Sequence, residues 1–196
     1  MASVFAMKLF SIEGPIGIGK STLLSELKKN GYPTYPEPIE EWTPVLKAFY
    51  HDRSKTAVDC QRFIYSSLIN RHLRIWRDNY EVNIMERSLK ASLDVFTAAT
   101  KRASPSSNWR IVEKYGEGGM ARYESGARYI ALHASFDTVY NRSRARGGLD
   151  TEADKEYLKE IYDLCVEFEK DCHAIIYVDG RSIESVTKEV IKILEQ

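Results

Sequence analysis

Residues 14–21 read Gly14-Pro15-Ile16-Gly17-Ile18-Gly19-Lys20-Ser21, followed by Thr22. The spacing is that of a phosphate-binding loop, G-x-x-x-x-G-K-S. Such a loop constrains the fold strongly, because it works between a buried strand and the start of a helix. Its backbone N–H groups wrap phosphates, the lysine reaches the outer ones, and the serine hydroxyl can hold Mg²⁺. Both flanks comply. Lys8-Leu9-Phe10-Ser11-Ile12 is a short apolar run, as a buried parallel strand requires. Ser21-Thr22-Leu23-Leu24-Ser25-Glu26-Leu27 opens a helix, whose N-terminus favours anions.

The rest of the chain alternates in the same way. Short apolar or β-branched runs predict strands near 7–12, 33–36, 81–85, 127–133 and 174–178. Helical spacing predicts helices near 20–30, 57–79, 88–102, 136–145, 154–171 and 182–195. In the second of these, Val58, Phe63 (or Ile64), Tyr65, Leu68, Ile69, Leu73 and Trp76 give one broad apolar side. The alternation implies an α/β fold, a five-stranded parallel sheet flanked by helices. Arg102-Ala103-Ser104-Pro105-Ser106-Ser107-Asn108 and Gly116-Glu117-Gly118-Gly119 read as flexible connections.

A length of 196 residues suits one domain spanning 1–196 and is short for two. The 28 basic and 28 acidic side chains cancel, so neither nucleic acid nor membrane is an expected partner. Cys60, Cys165 and Cys172 are odd in number and far apart. They form neither a zinc pattern nor a disulfide framework, which favours a reducing compartment. The four histidines show no ligand spacing. No apolar run reaches membrane-spanning length, and the first residues lack the features of a targeting signal. A cytoplasmic location is therefore expected, the host cytoplasm if the protein is viral.

Ligands of open α/β sheets sit at the C-terminal strand ends, and polar clusters follow three of the predicted strands. Pro36-Glu37-Pro38-Ile39-Glu40-Glu41-Trp42 follows the second. Pro38 biases Glu37 toward extended backbone, and a carboxylate near a phosphate loop can take a proton from an attacking hydroxyl. The alternative is a solvated acidic turn. Trp42 either stacks on a base or plugs the core, and position alone favours the core. Glu86-Arg87-Ser88 follows the third strand. Arg87 can contact a phosphate or a reacting hydroxyl, and Glu86 can hold water around Mg²⁺; a structural ion pair is the competing explanation. Arg142, Arg144 and Arg146 precede Gly147-Gly148, which suits a lid over a transferring phosphoryl group or, alternatively, a solvated helix end. Asp179-Gly180-Arg181 follows the fifth strand. Gln61, on the apolar side of the long helix, carries both a donor and an acceptor for a base edge.

Together these residues resemble the deoxynucleoside kinase family, which includes mitochondrial thymidine kinase, deoxycytidine and deoxyguanosine kinases, and the multisubstrate insect enzyme. The likeness is strong in Glu13–Ser21, Pro36–Trp42, Gln61, Glu86–Ser88 and Arg142–Arg146, and the compact length is similar to members carried by large DNA viruses. The resemblance implies a P-loop kinase fold with an arginine-rich lid near 142–153, ATP and Mg²⁺ as cofactors, and a homodimer formed through the helices near 57–79 and 88–102. It implies Glu37 as general base, Arg87 as orienting cation, and Ser21 with Glu86 around the metal, Glu86 through water. Tyr50 would meet the 3′-hydroxyl and Gln61 the base, with Trp42, Ile64 and Phe96 as walls. Asp179 and Arg181 would begin the loop that holds adenine. Purine- and cytosine-preferring members carry an arginine and an aspartate where this chain has Leu68 and Ser92, so the pocket is similar to that of thymidine-accepting members. The family's lid glutamate has no clear counterpart; Asp150 or Glu152 is its substitute. Residues 101–126 match poorly and receive no role.

The expected reaction is phosphoryl transfer from ATP to a deoxynucleoside 5′-hydroxyl, with thymidine favoured and deoxycytidine accepted. Two other readings share the fold. A thymidylate kinase needs an arginine for a phosphate acceptor and no base, which the Glu37–Trp42 segment opposes. A non-catalytic nucleotide-binding subunit is opposed by intact Lys20, Ser21, Glu37 and Arg87.

Overall fold

The computed structural model describes residues 7–105 and 108–196. Five strands, β1 (Lys8–Glu13), β2 (Thr34–Tyr35), β3 (Val82–Glu86), β4 (Arg128–His133) and β5 (Ala174–Tyr177), form one sheet in the order β2-β3-β1-β4-β5. Every pairing is parallel. Phe10 pairs with Ile84 on one side and with Arg128 on the other. β1 is thus the central strand, and the phosphate-binding loop leaves its C-terminal end.

The helices are α1 (Lys20–Lys29), α2 (Ile39–His51), α3 (Arg53–Asp78), α4 (Leu89–Ala91), α5 (Ala98–Ala103), α6 (Trp109–Tyr123), α7 (Phe136–Arg146), α8 (Lys155–Phe168) and α9 (Ile183–Leu194). A π-helical turn, Ser92–Thr97, links α4 to α5. Side chains cap five helix starts: Asp52, Ser88, Ser135, Asp154 and Ser182 accept N–H groups of α3, α4, α7, α8 and α9. α1 lacks such a cap and begins at Gly19 with φ 110°. Its first N–H groups therefore open onto the loop, ready for an anion.

Strand alternation sends Phe10, Ile12, Ile84, Ile130 and Leu132 to one core, shared with Leu23 and Leu27 of α1 and Val186 and Val190 of α9. On the opposite pleat Leu9 and Met85 meet Ile75 of α3. A larger apolar cluster gathers Trp42, Phe49, Tyr65, Leu68, Val95, Trp109 and Phe168 from the helices that cover the strand ends. Each such buried side chain contributes about 1.5–3 kcal/mol.

All five strands fall where the sequence predicts them, and the helices differ in four places. α2 is absent from the prediction, since Pro38 and Pro44 mask its start and middle. α3 begins earlier and buries Ala57, Cys60, Gln61, Ile64, Tyr65, Leu68, Arg71, His72 and Ile75, while Phe63, Leu73 and Trp76 are exposed, so its apolar side is divided. The helix expected over 88–102 is interrupted by the π turn. The fourth correction is α6, which replaces a supposed flexible segment at Gly116–Gly119. A Cβ at Gly116 would come within 3.1 Å of the Tyr65 ring, and one at Gly119 would approach Leu89 and Ile69. The glycines permit close packing of α6 on α3. In the other segment expected to be flexible, α5 runs to Ala103 and Trp109 donates its indole N–H to the Ser104 carbonyl at 2.9 Å. Ser106 and Ser107 lie outside the described residues. All three cysteines are free. Among the described residues no helix is long and apolar enough to cross a membrane.

Candidate active site

The phosphate-binding loop is shaped by positions that only glycine fills. Gly17 has φ 88°, and a Cβ there would sit 2.5 Å from the Val139 carbonyl. Gly14, at φ 135°, lies against the Leu132 carbonyl in the same way. The Lys20 ammonium donates to the carbonyls of Gly14 and Pro15 at 2.8 and 3.1 Å, folding over the loop. Ser21 donates its hydroxyl to Glu86 Oε1 at 3.0 Å. The end of β3 is thereby tied to the start of α1.

Glu37, just after β2, is buried beside Arg87, just after β3. Arg87 Nε forms an ion pair with Glu37 Oε1, and neither atom has a well-directed hydrogen bond. Burial pushes the Glu37 carboxyl above the usual carboxylate range, against the opposing pull of Arg87. The Glu37 N–H points to Glu86 Oε2 at 3.5 Å. The Arg87 guanidinium carbon lies 3.4 Å from the Phe96 ring centroid and 5.6 Å from that of Trp42, so the cation is held between aromatic faces. Arg87 itself has φ 60°, a left-handed conformation costly for a side chain with a Cβ.

These groups border one cavity of about 360 Å³. At one end are Ile16, Gly17, Gly19, Lys20, Ser21 and Thr22. At the middle are Glu37, Glu86 and Arg87, and beyond them Trp42, Tyr50, Gln61, Ile64 and Phe96. The sequence placed all of these in the site. The buried Trp42 indole N–H has no partner among the described residues. Gln61 is engaged at both ends of its amide, accepting from Thr97 and donating to Thr100, each at 3.2 Å. Leu68 and Ser92 are fully buried behind the wall and do not line it.

A second cavity of about 320 Å³ lies across the loop, bordered by Gly17, Ile18, Thr22, Arg142, Arg146 and Arg181. Arg146 faces both cavities. Arg144 instead braces the turn after α7, donating to the carbonyls of Thr151 and Ala153. Asp179 accepts the Ser135 N–H at 2.8 Å, which holds its carboxyl below the usual range and fixes the start of α7. Arg181 also pairs with Glu189 at 2.7 Å. Asp150 belongs to the 3₁₀ turn Gly148–Thr151, and its side chain lies outside the described residues. Gly147 and Leu149, in the segment after α7, also line the first cavity.

Several residues escaped the sequence reading. Leu46, Phe49, Tyr157 and Ile161 complete the apolar end of the cavity. Beneath it, buried Arg71 donates to the carbonyls of Glu86 and Arg87. Burial lowers the Arg71 pKa to about 10, which still leaves it charged at neutral pH. Glu13 Oε1 accepts the Ser88 N–H at 2.8 Å and the Ser11 hydroxyl at 2.6 Å; burial raises its pKa. Glu124 accepts the N–H groups of Leu89 and Lys90 and lies 3.0 Å from His72 Nε2. The backbone on either side of Arg87 is thus fixed by three charged side chains.

The family model described as Deoxynucleoside kinase matches residues 10–194. A protein of Invertebrate iridescent virus 6, whose name gives kinase and no substrate, is 38% identical over 92 residues, 47% of this chain and 46% of that protein. A protein of Fowlpox virus (strain NVSL) named as a probable deoxycytidine kinase is 31% identical over 114 residues, 56% of this chain and 48% of the relative. In both, the match spans about half of the relative's length. The thymidine kinase of Ictalurid herpesvirus 1 (strain Auburn) is 26% identical over 200 residues, 95% of this chain and 85% of the relative. With nearly its whole length matched by one family and its loop, strand-end carboxylate and arginine lining a common cavity, this chain belongs to the deoxynucleoside kinase family.

Proposed function

We propose that the protein transfers the γ-phosphoryl group of ATP to the 5′-hydroxyl of a deoxynucleoside, thymidine being the best acceptor and deoxycytidine a second. The observation that carries this reading is the Glu37 carboxylate. It is buried, paired with Arg87, and borders the same cavity as Lys20 and Ser21. Phosphoryl transfer depends on in-line positioning and charge neutralisation. Glu37 accepts the proton of the 5′-hydroxyl as its oxygen attacks the γ-phosphorus. Arg87 orients that hydroxyl and balances the charge, and Lys20 with Arg142 and Arg146 neutralises the phosphates. The cavity bordered by Arg181 and Val178 suits adenine.

Ser21 Oγ and Glu86 Oε1 are hard oxygen donors 3.0 Å apart at the start of α1. Among the described residues no group of three His, Cys, Asp or Glu side chains gathers. That donor set fits Mg²⁺, which keeps its waters and takes phosphate oxygens in place of a protein cage. Bound there, the ion supplies charge neutralisation on the phosphates.

The apolar end of the cavity supports a pyrimidine. Ile64, Leu46 and Ile161 offer no charged group to an amino substituent, and Leu68 and Ser92 form no ion pair behind them. Exposed Leu73 and Trp76 on α3, with Ile111 and Tyr115 on α6, support a homodimer. A panel of thymidine, deoxycytidine, deoxyadenosine, deoxyguanosine and thymidine monophosphate with Mg·ATP, read by ADP release, tests the reading. Thymidine is expected to give the highest kcat/KM. Turnover only with the monophosphate, or with no acceptor in the panel, would overturn it.

A further inference from the structure

The Gln61 amide on the cavity wall is held by groups that leave it one orientation. Thr100 Oγ1 lies 2.7 Å from the Phe96 carbonyl, 2.9 Å from the Tyr157 hydroxyl and 3.2 Å from Gln61 Nε2. A threonine hydroxyl has one proton and two lone pairs. The Phe96 carbonyl can only accept, so the proton goes to it. Gln61 and Tyr157 must then both donate to Thr100. At the other end, the Thr97 hydroxyl donates to Gln61 Oε1 at 3.2 Å. Turning the amide over would set Oε1 against an oxygen whose proton is committed elsewhere. Gln61, Thr97, Thr100 and Tyr157 are all buried, so water does not relieve that contact.

We propose that Thr100 is a specificity-determining residue: it fixes the sense of the Gln61 amide, and with it the pyrimidine edge the pocket accepts. This rests on the reading above that the base faces Gln61. One N–H and one lone-pair direction of the amide remain for a ligand, in a fixed order. Thymine presents a donor at N3 beside an acceptor at O4. Cytosine presents an acceptor at N3 beside a donor at N4. The two edges are opposite in order, so an amide free to turn serves both alike and a held amide favours one. Thr97 ends the π turn Ser92–Thr97 and Thr100 lies three residues on, so the two share one helix face and meet the same glutamine.

The test is the ratio of kcat/KM for thymidine to that for deoxycytidine in wild type, Thr100→Val and Thr100→Ser. Valine keeps the shape and removes the hydroxyl; serine restores it. The wild-type ratio is expected to fall by about fivefold or more in Thr100→Val, the equivalent of one hydrogen bond, and to be retained in Thr100→Ser. A loss of packing alone would lower both substrates alike and leave the ratio in place. If Thr100→Val does not fold, Thr97→Val removes the other half of the hold and is expected to lower the ratio too. A ratio unchanged in the valine variant, or lost in the serine variant, overturns the role of Thr100 while leaving the kinase reading intact. Failure of the wild type to phosphorylate either nucleoside would instead overturn the pyrimidine reading on which this inference rests.

Discussion

Arg87 combines two costs in one residue, a left-handed backbone and a buried guanidinium. Both are met locally. Its N–H donates to the Ile12 carbonyl at 3.1 Å, Arg71 binds its carbonyl, and Glu13 holds the next N–H. Backbone strain of about 1–3 kcal/mol persists only under such constraint. The same rigid turn keeps the guanidinium against Glu37. Glu37 must be ionised to accept a proton, and burial raises its pKa. Activity should therefore fall, as pH drops, through a value above that of an ordinary glutamate. The kcat/KM profile for the nucleoside reads this directly, and an acid limb at or below the ordinary value would contradict it. Stability follows the same group: the folded state binds this proton more tightly than the unfolded one. Its contribution is full below the unfolded pKa and is lost as pH rises through the folded one. Gly14–Ser21, Glu37 and Arg87 were legible in the sequence because each sits in a short local pattern. Arg71, Glu13 and Glu124 were not. Glu124 meets Leu89 across 35 residues, and nothing around it distinguishes a buried carboxylate from a solvated one.

At the scale of elements, the strands were legible because buried parallel strands read as short apolar runs between helical patterns. α2 and α6 were hidden by residues that usually break helices, Pro44 in one and three glycines in the other. In α6 the glycines differ in purpose. Gly116 faces the Tyr65 ring, whereas Gly118 has open space where a Cβ would be. Gly118→Ala should therefore stabilise the protein by about 0.5–1 kcal/mol through helix propensity. Gly116→Ala should destabilise it, because crowding of an aromatic ring outweighs that gain. Thermal or urea unfolding of the two variants gives the comparison, and equal shifts of the same sign would contradict the packing described for α6. The π turn was equally hidden, since an i→i+5 turn leaves no residue pattern of its own in Ser92–Thr97.

For the whole molecule, the order β2-β3-β1-β4-β5 sets the ends of β1, β2 and β3 side by side, so loop, base candidate and arginine meet at one edge. The dimer proposal belongs to this scale too. The sequence pointed to helices near 57–79 and 88–102, but Leu89, Val95, Phe96 and Ala99 are spent on the core. Leu73 and Trp76 on α3 and Ile111 and Tyr115 on α6 are exposed, Trp76 at 53%. Trp76→Glu should convert a dimer to a monomer in sedimentation equilibrium; a wild type that is monomeric at micromolar concentration would contradict the proposed interface. The most direct measurement on the molecule as a phosphotransferase is kcat of Glu37→Gln at saturating thymidine and Mg·ATP, with ATP affinity measured alongside. Turnover about 10²–10⁴-fold lower with ATP binding near that of the wild type is expected. Wild-type turnover in that variant would contradict proton transfer to Glu37.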